Sequence, residues 1–269
     1  MAIIKRWAWF LPIIFFSLWF WQFWQLLPFS AQKSLFISFL TGSATVLGAL
    51  PFLFFTKSNQ SPLFLGISGG MMAGAAVFSL LLPSSLLFLE NPLPKLAVAM
   101  LAALFLGVFV MQKIDAITPH EHIENLSNKT PINVFLIIGA LALHNLPEGL
   151  AVGVSDDAAI TLGIALQNLP EGALLAGMLT AAGMPRGRAV FWALLSGWVE
   201  VAGALLGVVL NVFLESSGNL LLPTALAFAG SAMLWVFFHE MLPSFERFKS
   251  HWGFLIGVLA MAALVLFLD

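Results

Sequence analysis

Long apolar stretches alternate along the chain with short polar clusters, and the spacing of the two sets the reading. Runs without a charged residue extend over 7–32, 34–56, 58–89, 96–112, 189–199, 201–214 and 251–268, and the stretches 131–155 and 158–185 carry one carboxylate each. A helix that crosses a bilayer needs about 20 mostly apolar residues. With Glu200 inside a single span over 189–214, and a further span over 218–243, the pattern predicts nine helices joined by short connections.

Composition agrees. Of 269 residues, 60% are hydrophobic and only 9% charged, against about 25% charged in a soluble domain. The predicted class is therefore an all-α polytopic membrane protein, with no room for a separate soluble domain. The basic residues are scattered, so no stripe exists to follow a phosphate backbone, and nucleic acid is excluded as a partner. Cysteine is absent, which removes disulfides, thiolate metal sites and cysteine nucleophiles; a metal here must use His, carboxylate or amide ligands.

Basic residues flanking spans are retained on the cytoplasmic side. With nine spans, one side receives Lys5, Arg6, Lys57, Lys113, Lys129, Arg186, Arg188, Arg247 and Lys249, and the other only Lys33 and Lys95. The amino terminus and the loop over about 113–130 are thus expected in the cytoplasm and Asp269 outside. Lys5-Arg6 before an apolar run also resembles the start of a signal peptide, but the run is long, Trp-rich and without a clear small-residue cleavage site. Residues 1–33 are expected to form an uncleaved extra helix.

Six ionisable residues fall inside the spans: His144, Glu148, Glu171, Glu200, His239 and Glu240. Each costs about 2.5 to 3.5 kcal/mol to insert. A lone one is as often a strut between helices as a functional group, but here several stand in register. Ala142-Leu143-His144-Asn145-Leu146-Pro147-Glu148-Gly149 recurs as Ala165-Leu166-Gln167-Asn168-Leu169-Pro170-Glu171-Gly172, identical at seven of eight positions. At about 100° per residue, His144, Asn145 and Glu148 share one helix face, as do Gln167, Asn168 and Glu171. The prolines remove a helical donor and are expected to kink both helices, and the glycines permit close approach. Consecutive spans run antiparallel, so the two copies can face each other near the midplane about a pseudo-twofold axis.

Such a site offers one imidazole, two carboxylates and three amide oxygens, with Glu200 able to add a third carboxylate. No Lys or Arg lies in these spans to neutralise them. A divalent cation, or two bridged by Glu148 and Glu171, is the most economical counter-charge. Mixed nitrogen and oxygen ligands suit zinc, iron, manganese, cobalt or cadmium.

These residues resemble the ZIP (Zrt- and Irt-like protein) family of divalent metal transporters, of the prokaryotic GufA-like type. His144 to Gly149 looks like the HNxPEG motif of that family's fourth helix and Gln167 to Gly172 like its fifth-helix counterpart. Ser68-Gly69-Gly70, Glu200 before Ala202 to Gly207, and Phe238-His239-Glu240-Met241-Leu242-Pro243 support the likeness. The resemblance implies an eight-helix bundle over 34–269 with both ends outside, an inverted-repeat architecture, and residues 1–33 as an additional helix. It implies one metal site at His144, Glu148, Gln167 and Glu171, and a second at which Asn145, Asn168 and Glu200 join the shared glutamates. His239 and Glu240 look like an exit relay, and His120 and His122 in the loop could receive released metal. The expected activity is transport of zinc, with cadmium, iron or manganese as alternatives, into the cytoplasm across a prokaryotic plasma membrane; the metal is cargo and no resident cofactor is implied. The number of copies stays open, a homodimer included.

Where Gln167 stands many members carry His, some have Asp in place of Asn168, and Ser79 and Ser84 replace a His and a Glu frequent in relatives. These departures bear on metal preference and on how many ions are held. Two other readings use the same residues. An intramembrane metalloenzyme would begin its motif at His239-Glu240, but proline at 243 breaks the H-E-x-x-H pattern. A proton-coupled solute carrier would use Glu148 and Glu171 as proton sites and leaves His144 unexplained.

Overall fold

The computed structural model describes residues 22, 24–54, 62–117, 131–155, 157–181, 183–214, 220–242 and 251–268. The first predicted helix, apart from its end, and the loop histidines His120 and His122 lie outside the described residues.

The described chain is helical throughout. In order come α1 (Phe29–Ala49), the short α2 (Pro51–Phe54), α3 (Pro62–Gly74), a π-helical segment Ala75–Leu81, α4 (Leu82–Glu90), α5 (Pro94–Ile117), α6 (Pro131–Val154) and α7 (Ala158–Ala181). Then follow α8 (Arg186–Gly197), α9 (Val199–Leu214), α10 (Leu221–Val236), a second π-helical segment Phe237–Met241 and α11 (His251–Leu268). Proline punctuates these elements. Pro51, Pro62, Pro94 and Pro131 each open a helix, and Pro28 and Pro185 are the caps of α1 and α8. A missing N–H costs nothing in the first turn, while it stops a preceding helix from running on.

Five described stretches are long and apolar enough to cross a membrane: Gly66–Glu90, Pro94–Ala116, Ala158–Thr180, Arg186–Leu214 and Leu221–His239. Large apolar side chains point outward along them and their neighbours, among them Phe105, Phe213 and Phe267, all more than 70% exposed. A helix satisfies its own backbone in hydrocarbon, so an apolar exterior is the expected surface of a multi-pass membrane protein.

Inside, the helices meet through small residues. A Cβ on Gly149 would run into the carbonyl oxygen of Glu200, and one on Gly203 into that of Leu146, which locks α6 to α9. A Cβ on Gly172 would strike the carbonyl of Thr45, and one on Gly48 that of Leu169, which locks α1 to α7 in the same way. Gly70, Gly253 and Gly257 do the same between α3 and α11, where Gly74 lies against the Met261 side chain.

One feature differs from the uniform spans expected. The 189–214 span is interrupted at Trp198, which closes α8 before α9 begins at Val199. The Trp198 indole N–H donates to Ser43 Oγ at 3.2 Å, and its ring lies 5.3 Å from Phe39. α6 and α7, by contrast, continue as helices through Pro147 and Pro170.

Candidate metal site

The repeated motif lies just past the middle of α6 and in the middle of α7, and the break at Trp198 places Glu200 in the first turn of α9. A carboxylate in the first turn stands near the positive end of the helix dipole, a favourable place for an anion in an apolar surround. His144, Asn145, Glu148, Gln167, Asn168 and Glu200 are all buried, with Asn145, Glu148, Asn168 and Glu200 at zero exposure. Glu171 is partly buried, with its Oε1 enclosed. Glu171 and Glu200 both lie within electrostatic reach of Glu148, and Gln167 stands beside it.

Two arrangements of hydrogen bonds surround this cluster. Glu200 accepts at Oε2 from the Thr41 hydroxyl at 2.5 Å and at Oε1 from the Asn168 amide, which also donates to the Thr41 carbonyl at 2.9 Å. Asn145 donates to the Ser196 carbonyl at 2.8 Å, with the Ser196 hydroxyl 3.4 Å away. The amide N–H groups of both asparagines are thus held in fixed bonds, that of Asn168 partly to Glu200 itself.

Their oxygens are not. Among the described residues, Asn145 Oδ1, Glu148 Oε1 and Oε2, Gln167 Oε1, Asn168 Oδ1 and Glu171 Oε1 are buried and receive no hydrogen bond. A buried polar atom left unmatched costs about 1–3 kcal/mol, so six oxygens amount to on the order of 10 kcal/mol, comparable with the whole stability of a domain. The Gln167 amide Nε2 is likewise unmatched, but the oxygens outnumber it, and a set so rich in acceptors favours a cation. Among the described residues no three His, Asp or Glu side chains close up into a metal cage. The cluster is instead half amide, and Glu200 is engaged by Thr41 and Asn168.

The other residues singled out in the sequence lie apart. His239 sits in the second π-helical segment, about half exposed, stacked on Trp235 with centroids 4.5 Å apart and with Nε2 3.3 Å from Asp115 Oδ2 on α5. Glu240 follows it in that segment. Ser79 is buried in the first π-helical segment with an unmatched hydroxyl, and Ser84 donates to the Pro223 carbonyl at 2.7 Å.

Thr41, Ser196 and Asp115 were missed by the sequence reading. For Thr41 a signal was present: Ser34, Ser38, Thr41 and Thr45 recur at helical spacing in an otherwise apolar run. Ser196 and Asp115 carried none, since nothing in sequence ties them to the helices they meet.

A family model described as ZIP Zinc transporter matches residues 112–265. The chain is 40% identical over 245 residues to "Zinc transporter GufA" of Myxococcus xanthus, covering 82% of this chain and 94% of the relative. It is 37% identical over 243 residues to "Zinc transporter ZIPB" of Bordetella bronchiseptica, covering 84% and 77%. To "Zinc transporter ZupT" of Corynebacterium aurimucosum it is 32% identical over 255 residues, covering 85% and 95%.

Proposed function

We propose, on the premise that this chain belongs to the ZIP zinc transporter family, that it carries zinc into the cytoplasm through the buried cluster on α6, α7 and α9. Members of the family are transporters rather than enzymes, and divalent metal transport is the activity of this chain. The observation that carries the detailed reading is the set of six buried oxygens without donors on Asn145, Glu148, Gln167, Asn168 and Glu171.

One ion is held by His144, Glu148, Gln167 and Glu171. Imidazole nitrogen with carboxylate and amide oxygen is a donor set that zinc accepts, and cadmium, iron or manganese also fit it. A second ion, bridged by the shared glutamates, takes oxygens from Asn145, Asn168 and Glu200. To admit it, Glu200 exchanges its bonds from Thr41 and Asn168 for the ion, while Asn168 already has Oδ1 free to turn on it. Bridging carboxylates let an ion shift between sites without leaving either carboxylate uncompensated, which suits passage better than a fixed catalytic metal.

The bundle we infer over 34–269 has eight helices and an inverted repeat, preceded by an additional helix over 1–33. The matched closures at Gly149/Glu200 and Gly172/Thr45, and at Gly203/Leu146 and Gly48/Leu169, support the repeat. The basic residues support an amino terminus in the cytoplasm and a carboxyl terminus outside, in a prokaryotic plasma membrane. The ion then leaves past His239 and Glu240 towards His120 and His122.

The test is uptake of radioactive zinc, cadmium, manganese and iron into liposomes carrying the purified protein, with the Glu148→Ala, Glu171→Ala double variant as control. Saturable zinc uptake lost in the double variant is expected. Equal uptake by both proteins would move the transport site elsewhere.

A further inference from the structure

A cavity of about 80 Å³ lies at the end of the bundle where α1 begins, between α1, the end of α6 and α9, and Ser30, Ser34, Ser155 and Asn211 give it a polar lining. From its wall a line of hydroxyls runs inward along α1. Ser34, Ser38, Thr41 and Thr45 fall within about 60° of one another around the helix, and all four are buried. The inner part of the line ends on the metal cluster, where the Thr41 hydroxyl donates to Glu200 Oε2 at 2.5 Å. Between the cavity and that bond stands Ser38, fully buried, whose Oγ meets no hydrogen-bond partner among the described residues.

Helical rise separates Ser34 from Ser38 by about 6 Å and Ser38 from Thr41 by about 4.5 Å along the axis. Two hydrogen bonds through one water span close to 5.5 Å. The spacing along the axis matches the reach of one water between neighbours in the line, and Ser38 Oγ is a buried polar atom that such a water would satisfy. The cavity holds several waters at about 10–15 Å³ each by the same measure.

We propose that a file of ordered water runs along α1 from this cavity past Ser34 and Ser38 to Thr41, and that it hydrates the Glu200 side of the metal cluster. A divalent ion entering the cluster must give up bound waters and take them back on leaving. The file supplies a route for that exchange on the α1 side of Glu200, where Thr41 is bonded to it. This role rests on the transport reading above, whereas the file itself does not.

The chain has no cysteine, so a single one reports on its own surroundings. The experiment is X-ray radiolytic labelling of Ser34→Cys, Ser38→Cys and Ala44→Cys variants in liposomes, read by mass spectrometry, with zinc uptake measured on the same preparations. Ala44 is buried on another side of α1, as exposed as Ser34 but off the line of hydroxyls, and is the control. Ser38→Cys should oxidise within about threefold of Ser34→Cys and about tenfold faster than Ala44→Cys, because the radicals form only where water is. Oxidation of Ser38→Cys as slow as that of Ala44→Cys, with uptake intact, overturns the file and leaves transport standing. Fast oxidation without uptake in the unaltered chain overturns transport and leaves the file. Should Ser38→Cys fail to fold, a high-resolution map of the unaltered protein decides: an ordered water within hydrogen-bond distance of Ser38 Oγ upholds the file, and its absence overturns it.

Discussion

The halves of the metal cluster share a frame and differ in chemistry. In each, an asparagine of the repeated motif donates to a carbonyl of a neighbouring helix, Asn168 to Thr41 and Asn145 to Ser196. In each, the motif glycine lies against backbone four residues further on, Gly172 at Thr45 of the same α1 and Gly149 at Glu200, past the break at Trp198. Thr45 and Glu200 are therefore counterparts, and there the likeness stops. Glu200 is bonded by Thr41 and Asn168, whereas the Thr45 hydroxyl and Asn145 Oδ1 find no partner among the described residues. Glycines and asparagines keep the geometry twofold, while the third carboxylate is placed on one side only. Packing and charge can thus be varied separately.

The largest effect expected is from Glu148→Ala. Glu148 is fully buried, within electrostatic reach of both Glu171 and Glu200, with Gln167 beside it. Its removal takes charge from both ion positions, so zinc uptake should fall at least a hundredfold, corresponding to about 2.7 kcal/mol or more. Gln167→Ala removes one neutral oxygen and should leave measurable uptake. Equal residual uptake in the two variants would sink the idea of shared carboxylates.

Next come the glycines that hold the frame. Gly149→Ala and Gly172→Ala each drive a methyl group into backbone of the adjacent helix, which cannot yield as a side chain can. A cost of about 1–3 kcal/mol each is expected, read as a lowered Tm in detergent. Gly139 on the same α6 has nothing within 4 Å of an added Cβ, so Gly139→Ala should be neutral or slightly stabilising. Similar losses at Gly149 and Gly172 would support a shared frame; a loss at only one would break the comparison between the halves.

The motifs and most of the spans were legible because hydrocarbon leaves little freedom: an apolar run must be helical, and His144 or Glu148 within it needs a purpose. α11 falls on the uncharged run 251–268 itself. The break at Trp198 was not legible, because no proline marks it; it is pinned by Ser43 and Phe39 of another helix. Its consequence, a helix start beside Glu200, therefore appears only in three dimensions. The π-helical segments were hidden for a similar reason, since an extra residue in a turn leaves the composition unchanged. Asp115 reads in sequence as a charge beyond the end of a span, and only the packing of α5 against the segment with His239 gives it a partner.

A smaller effect separates Thr41 from Ser196. Thr41→Val keeps the shape of the side chain but removes the donor to Glu200 Oε2, a bond to a charged-type acceptor worth about 1.5–3 kcal/mol. Ser196→Ala removes only a hydroxyl 3.4 Å from Asn145, whose main bond goes to the Ser196 carbonyl and survives. Zinc affinity, measured by isothermal titration on the purified protein, should change several-fold in Thr41→Val and barely in Ser196→Ala. The reverse order would show that the half without the third carboxylate governs the ion.

The smallest change in rate, and the sharpest in selectivity, is expected at Gln167, the one position where the repeated motifs differ. Its counterpart is His144, so the cluster has one nitrogen donor where a symmetric motif would have two. Gln167 is 3% exposed and stands beside Glu148, so an imidazole there faces the same carboxylate. Nitrogen ligands suit zinc better than manganese, which prefers oxygen. Gln167→His should therefore raise zinc uptake relative to manganese uptake in paired measurements while total transport stays within about threefold, the scale of one altered neutral ligand. An unchanged ratio would place the selectivity on the side of Glu200, and the asymmetry of charge rather than of nitrogen would then be what sets the preferred ion.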